Sequence, residues 1–384
     1  MRIPGFTSTR SKRPEALFGS VGDVPMRLVR ADGCRLWDEG GREYLDTVMA
    51  LGAVGLGYAH PAVTEAAERA MRDGGVGSLA PVAEAMLAEE LCFVMPGAER
   101  VLFFKTGAEA VAAAVRLARA YTGRERVLTC GYHGWHDWCQ HGLGVPAAVR
   151  SLRTEIPFND VAALRGIATG DSLPAAIVVE PVIEVAPDPV WLRAVRDVAT
   201  RCGAVLVLDE IKTAFRIALG GAAERWEVEP DLMVLGKAMA NGFPLAAVCG
   251  HRDLMETATR TWISSTLATE WVSLAAALAV LDIYRRERVC DHLEAAGTVL
   301  LAGLERLAPA FPKAVRGVRG MPQMCYLTFS REEVSAAVAV AAARHGLLFK
   351  RNAYNFVSLA HTDDVVIDVV RRLEAALTEV ERTC

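Results

Sequence analysis

The chain has no Cys-x-x-Cys pair, no apolar run long enough for a membrane span, no basic stripe and no internal repeat. Each absence removes a class of protein. Nine cysteines lie scattered over 384 residues without paired spacing. They do not read as a disulfide framework, and the thiols are expected to be reduced in a cytoplasmic protein. The greasiest stretches, residues 273–280 and 336–343, are Ala-rich and fall short of the roughly 20 apolar residues that a bilayer crossing needs. The opening MRIPGFTSTRSKRPEALFG is basic but lacks the apolar segment of a secretory signal. A net charge of −4 with interspersed signs, and no helix-turn-helix pattern or basic extension, argue against a nucleic-acid partner. Glycine and proline are at ordinary levels, and no Gly/Ser linker or low-complexity tract breaks the chain, so a fibrous or disordered protein is excluded.

What remains is a well-packed globular mixture, 52% hydrophobic and 23% charged, too long for one compact core. Two subdomains are expected. RLVRADGCRLWDEGGREYLDTV alternates apolar and polar residues around Asp-Glu-Gly-Gly and reads as a β-hairpin. From residue 61 helices alternate with short apolar runs: helices over 61–73, 81–94, 109–121 and 190–201, and strands over 101–104, 126–130, 175–180, 204–209, 232–236 and 246–250. Runs such as VLVLD are apolar on both faces, as strands covered by helices on each side must be. The alternation predicts an α/β fold with a large, doubly wound, mostly parallel sheet. A long apolar helix over 270–284 leaves it. Helices over 291–307, 332–345 and 364–380, a strand over 324–329 and the strand-like LLFKRNAYNFVSLA follow. The expected division is an N-terminal arm and hairpin (1–60) joining a small α+β domain (285–384), with the large domain over 61–284.

Chemistry concentrates at the ends of the apolar runs. Asp209 closes AVLVLD, and Lys237 follows LMVLG. Ligands of open α/β sheets bind beyond the carboxyl ends of the strands. A lysine against an apolar wall there is desolvated towards a nucleophilic amine. Pyridoxal 5′-phosphate (PLP) asks for such a lysine at its aldehyde and an acid at its ring nitrogen. Each residue taken alone is equally well a surface cap on a strand end. Thr106-Gly107-Ala108 stands at a strand-to-helix junction suited to phosphate, or to an ordinary N-cap. Tyr132-His133-Gly134-Trp135-His136 offers an aromatic face to a flat cofactor. With Cys130, Cys139 and His141 it also admits a zinc reading, although the spacing matches no familiar finger.

Taken together and in order, ADGCRLWDEGGREYLD, LGYAHPAV, FFKTGAEAVAAAVRLARAYTGR, GYHGWHD, VVEPV, LVLDEIKTAFRIALGGA, PDLMVLGKAMANGFPLAAVCG and FVSLAHTDDV resemble the fold-type I, class III aminotransferases. Within them the chain is most similar to the glutamate-1-semialdehyde aminomutase branch and its aminotransferase relatives, over about residues 27 to 375. The resemblance implies a PLP enzyme in which Lys237 is the Schiff-base lysine and proton carrier and Asp209 pairs with the pyridine nitrogen. It implies Thr106, Gly107 and Ala108 at the phosphate, Tyr132 and Ile211 on the two ring faces, and Glu180 shaping the site. It further implies a homodimer in which Thr266 reaches the neighbouring subunit's cofactor, the alternative for Thr266 being a helix-start residue. An amine donor, by default L-glutamate, and a carbonyl acceptor are the small-molecule partners, with no nucleic acid and no membrane.

The chain also departs from that pattern. Ala108 lacks the family's third hydroxyl, the stretch SKRPEALFGSVGD is shortened, and the segment after Tyr132-His133-Gly134 is abbreviated. Ala240-Asn241-Gly242 replaces a run of glycines. A shorter cover favours release of product after each half-reaction, hence transfer between molecules over migration within one. The Trp135-His136-Asp137-Trp138 and SSTLATE variants resemble a branch associated with sugar, cyclitol or other secondary-metabolite ketones. Lys212, Lys350 and Arg351 are candidates for a substrate carboxylate, or are solvated surface cations. An aminomutase, epimerase or decarboxylase on the same scaffold, and a non-catalytic PLP-fold protein, are the competing readings.

Overall fold

Stretches of sequence that are apolar at every position become the centre of a seven-stranded sheet. A computed structural model describes residues 2–19, 24–167 and 173–382 of the chain. Residues 20–23 of the shortened N-terminal stretch lie outside the described residues. The chain forms two compact units, Met1–His60 with Asp291–Cys384, and Pro61–Cys290.

The first unit opens with an antiparallel meander of β1 (Leu28–Asp32), β2 (Arg35–Asp38) and β3 (Glu43–Asp46). The expected hairpin is therefore three strands joined by two turns. In the second turn Asp38 Oδ1 accepts from the N–H groups of Gly40 and Arg42, both at 2.9 Å. Past β3, the buried Asp46 carboxylate accepts from Val48 N–H, Met49 N–H and the Tyr58 hydroxyl. It braces Met49, Ala50 and Leu51, three successive non-glycine residues in the left-handed region, each of which carries steric strain.

The second unit holds β4 (Arg100–Phe104), β5 (Val127–Cys130), β6 (Arg153–Glu155), β7 (Ala176–Val179), β8 (Val205–Asp209), β9 (Leu232–Leu235) and β10 (Ala246–Gly250). Their order is β4-β10-β9-β8-β7-β5-β6. All are parallel except β10, which runs antiparallel to both neighbours. Strands β5, β7, β8, β9 and β10 are buried at every residue, which explains their lack of polar alternation. The helix Gly107–Thr122 lays Ala110, Val111, Ala114, Leu117 and Ala118 on Val127, Val178, Val207 and Val234. Its alanines let helix and sheet approach closely. Thr106 caps its start, and Gly123, at φ +68°, ends it in the left-handed conformation that glycine adopts freely. The helix Pro189–Cys202 begins with Asp188 accepting from Val190 N–H at 2.7 Å and Pro189 at the first position. The helix Trp271–Arg286 starts at Glu270.

The rest of the first unit adds β11 (Val315–Met321), β12 (Met324–Phe329), β13 (Leu347–Leu348) and β14 (Asn355–Phe356). Strands β11, β12 and β14 form one small sheet, and β13 joins the meander in parallel beside β3. The reading of the sequence differs here in two places. Strand β11 reads Val-Arg-Gly-Val-Arg-Gly-Met, and its interior positions are exposed or partly so, leaving little apolar signal. LLFKRNAYNFVSLA is not one strand but two short ones around a loop in which Asn352 is left-handed. Among the described residues no helix is long and apolar enough to cross a membrane.

Candidate active site

The carboxyl ends of β5, β7, β8 and β9 lie side by side, and the register sets what meets there. Cys130 pairs with Val179, Val179 with Leu208, and Asp209 with Val234. The sheet edge therefore gathers Tyr132 and His133 after β5, Glu180 after β7, Asp209 at the end of β8, and Lys237 after β9. Lys237 has φ +45°, a conformation that strains a side-chain-bearing residue and recurs where function over-determines the backbone.

Asp209 is only 3% exposed. Its Oδ2 lies 2.8 Å from His133 Nδ1, and its Oδ1 accepts from Ile211 N–H at 3.3 Å. His133 Nε2 faces the Cys130 carbonyl at 3.1 Å. His133, which the sequence offered within an aromatic stretch and a metal-ligand alternative, is thus the partner of Asp209. Among the described residues no group of three or more His, Cys, Asp or Glu side chains is arranged to hold a metal ion.

Lys237 is pushed down to about 8 by burial first and then by the charge of Lys212, with Glu180 and Asp209 opposing and Arg216 adding to the depression. Its neighbour Lys212 is not a solvated surface cation. It is buried, donating to Glu180 Oε1 and, at 2.8 Å, to the Val182 carbonyl. The other oxygen of Glu180 accepts from Tyr132 N–H at 3.1 Å. A Cβ at Gly131 would stand 2.6 Å from Glu180 Cβ, and φ is +102° there, so that approach needs glycine.

The junction between β4 and the helix Gly107–Thr122 is a capping box. Thr106 Oγ1 accepts from Glu109 N–H, while the Glu109 carboxylate takes the N–H of Lys105 and Thr106 and the Thr106 hydroxyl. The N–H groups of Gly107 and Ala108 are left as the open donors of the first turn. Gly107 is bare on the side where a Cβ would come within 2.5 Å of Ile211 Cδ1, and Gly134 packs where a Cβ would meet Ala108 Cβ at 2.7 Å. A half-buried ion pair missed in the sequence, Lys105 Nζ to Glu270 Oε2 at 2.7 Å, ties this turn to the helix Trp271–Arg286. Tyr132 is 69% exposed and offers its ring. Glu210, fully buried, instead holds the N–H groups of Ala222 and Ala223 and is structural.

Thr266 lies in an exposed turn ahead of Glu270. Arg351 is committed to Glu332, the Ser335 hydroxyl and the Glu15 carbonyl. Burial holds Lys350 below the usual lysine range. A broad cleft of about 1230 Å³ beside Gly203, Val205, Asp231 and His251 opens at the opposite ends of the strands and contains none of the clustered groups.

An amine beside a buried carboxylate, open N–H donors at a helix start, a free aromatic face and the bare Gly107–Ile211 cradle fit PLP in each of its parts. The fold and this cluster define a fold-type I PLP-dependent enzyme. A family model described as aminotransferase class-III matches residues 18–377, and the chain belongs to that family. It is 36% identical to the 2'-deamino-2'-hydroxyneamine transaminase of Streptomyces kanamyceticus, over 94% of this chain and 92% of that protein. It is 33% identical to a glutamate-1-semialdehyde 2,1-aminomutase of Neisseria meningitidis, over 96% and 94% respectively. The FumI protein of Sphingopyxis sp. MTA144, solved in its PLP internal aldimine form, superposes with a TM-score of 0.92 at 27% identity, over 99% of this chain and 94% of that one.

Proposed function

We propose that Lys237 holds the cofactor and carries the substrate proton, that Asp209 holds the ring nitrogen, and that the amino group passes between two substrate molecules. Bound PLP supplies an aldehyde that condenses with primary amines and a ring that withdraws electrons from the adjoining carbon. The observation carrying the reading is the placement of Asp209 and Lys237 at adjacent strand ends, one backed by His133 and the other depressed towards a free amine. With the cofactor held there, Lys237 Nζ would be the base that takes the proton from the carbon bearing the donor amine and the acid that hands it back in the second half of the transfer. Asp209, held by His133, fixes the ring nitrogen's proton. Gly107 and Ala108 N–H hold the phosphate with Thr106 beside them, Tyr132 and Ile211 bound the ring, and Glu180 holds Tyr132 and Lys212 in place.

The donor in this reading is L-glutamate, and the acceptor is a ketone or aldehyde of a sugar, cyclitol or other secondary metabolite. The relative from Streptomyces kanamyceticus supports that acceptor class by name and by its 36% identity. Internal amine migration is the second reading, and it is supported by the aminomutase relative at 33%. The enzyme acts as a cytoplasmic homodimer in which Thr266 reaches the partner's cofactor. Leu79, Val82, Phe93 and Trp262 stand largely exposed on the same unit as Thr266, apolar surface that a second copy would cover. The described cysteines form no disulfide with one another, in keeping with a reducing compartment.

The test is the absorption spectrum of the PLP-loaded protein before and after L-glutamate, with 2-oxoglutarate assayed in parallel. Conversion to the pyridoxamine spectrum with stoichiometric 2-oxoglutarate is expected. A protein isolated already in that form and inert to glutamate would favour the aminomutase. A Lys237→Ala protein with unchanged spectrum and activity would overturn the assignment.

A further inference from the structure

Lys212 and Lys237 lie just past the carboxyl ends of the adjacent, parallel strands β8 and β9. Asp209 is in register with Val234, and each lysine lies three residues further along its own chain segment. Two potential ammonium groups at one sheet edge repel, and the structure places a carboxylate on one of them. Lys212 Nζ is fixed from two sides, by Glu180 Oε1 and by the Val182 carbonyl at 2.8 Å. Glu180 is itself fixed through Tyr132 N–H. Neither charge swings free into solvent, and Lys212 is committed to the protein instead of to a substrate carboxylate. The charged groups facing Lys237 are Lys212, Glu180, Asp209 and Arg216, with His133 behind Asp209.

We propose that Lys212 is a positioning residue whose immobile ammonium keeps the nitrogen of Lys237 poor in protons, with Glu180 as its counterweight. The inference rests on Lys237 being the cofactor lysine. A fixed cation disfavours a second positive charge on its neighbour, the means by which a lysine beside another cationic group becomes nucleophilic near neutral pH. Burial acts in the same direction as Lys212, while Glu180 and Asp209 oppose it. Only the deprotonated nitrogen bonds to a carbonyl or takes a proton from carbon. The Lys212–Glu180 pair therefore sets the pH range in which Lys237 works, and the two members of the pair pull in opposite senses.

The test uses PLP-loaded wild type, Lys212→Met, Lys212→Gln, Glu180→Gln and Lys237→Ala. The absorption of the lysine-bound cofactor is followed from about pH 6 to about pH 10, which brackets the range a perturbed lysine occupies. Its midpoint reports the proton affinity of the Lys237 nitrogen without reference to turnover. Lys212→Met is expected to raise the midpoint by about one pH unit. Lys212→Gln, which leaves Glu180 a donor, repeats the upward shift, and Glu180→Gln lowers the midpoint. The acid limb of kcat against pH follows in the same senses. A site that is merely loosened moves all variants one way; that result, or unmoved midpoints, would overturn the proposal. Lys237→Ala separates the two levels. If it keeps the lysine-bound spectrum, the cofactor assignment itself fails; if it loses that spectrum while the Lys212 and Glu180 variants match wild type, only the inference about Lys212 fails.

Discussion

His133 Nδ1 lies 2.8 Å from Asp209 Oδ2, and Nε2 of the same ring lies 3.1 Å from the Cys130 carbonyl. One ring nitrogen thus faces a carboxylate and the other a backbone carbonyl, which fixes the plane of the ring. Asp209 is thereby given a buried partner on the side away from Ile211. His133→Phe keeps a ring beside Trp138, 6.2 Å away between centroids, and removes both ring nitrogens. A hydrogen bond to a charged group contributes about 1.5–3 kcal/mol, so kcat is expected to fall roughly 10- to 100-fold with PLP stoichiometry kept. His133→Gln, which keeps one donor, should recover part of the loss. Steady-state kinetics beside a cofactor titration checks this, and an unchanged kcat in His133→Phe would show that Asp209 needs no such partner.

Gly134 packs the Tyr132 loop against the Thr106–Ala108 turn, the phosphate site proposed above. Its φ is +101°, and a Cβ there meets Ala108 Cβ at 2.7 Å and Ala108 Cα at 3.0 Å. Backbone cannot yield as a flexible side-chain tip does. Gly134→Ala is therefore expected to displace the turn carrying the open N–H groups of Gly107 and Ala108. PLP retention after dialysis should drop by about tenfold or more, for a cost of roughly 1–3 kcal/mol. Full retention would place the phosphate elsewhere.

The strand ends were legible because Asp209, Glu180 and Lys237 each follow an unbroken apolar run, and runs of that kind have few alternatives to a covered parallel strand. Register was not legible. Nothing local says that Asp209 sits level with Val234, or that His133 turns towards a carboxylate 76 residues later. Hence His133 read as part of an aromatic stretch or of a metal alternative, and its partnership with Asp209 went unread. Lys212 read as a carboxylate anchor or a surface cation because its counter-charge, Glu180, is 32 residues upstream and its burial depends on the neighbouring strand. In the smaller unit β11 was lost among arginines and glycines, and β13 exists only because β3, some 300 residues earlier, offers it an edge.

The smaller unit should weaken in acid through His361. Its side chain is buried, with Nδ1 accepting from Ser358 N–H at 3.1 Å and Nε2 lacking a partner. Burial pushes its pKa down to about 4, opposed by the Asp46 backbone and helped to a lesser extent by the charge of His292. The unfolded chain thus binds a proton at higher pH than the folded one does. The stabilising contribution is complete above about pH 6.5 and is lost as pH falls towards 4, by up to about 3 kcal/mol. Urea unfolding between pH 7 and pH 4.5 should show this slope in wild type and a flatter one in His361→Asn. Parallel slopes would assign the acid sensitivity to other groups.

The pair Lys105–Glu270 ties the turn that starts the helix Gly107–Thr122 to the start of the helix Trp271–Arg286. Glu270 Oε2 takes Lys105 Nζ at 2.7 Å and the Ser273 hydroxyl at 2.8 Å, while Oε1 caps the helix through Val272 N–H at 2.7 Å. Both side chains are less than a quarter exposed, so the pair is shielded more than a surface ion pair. Glu270→Gln keeps the cap and loses the charge, whereas Glu270→Ala loses both. The expected losses are about 1 kcal/mol for the first and about 2 for the second. A double-mutant cycle with Lys105→Met should return a coupling of about 1 kcal/mol in urea unfolding. The same cycle read in PLP affinity tests whether the pair holds the phosphate turn or only the helix. Coupling in both readouts ties Glu270 to the cofactor; coupling confined to unfolding leaves it a cap with a charged neighbour.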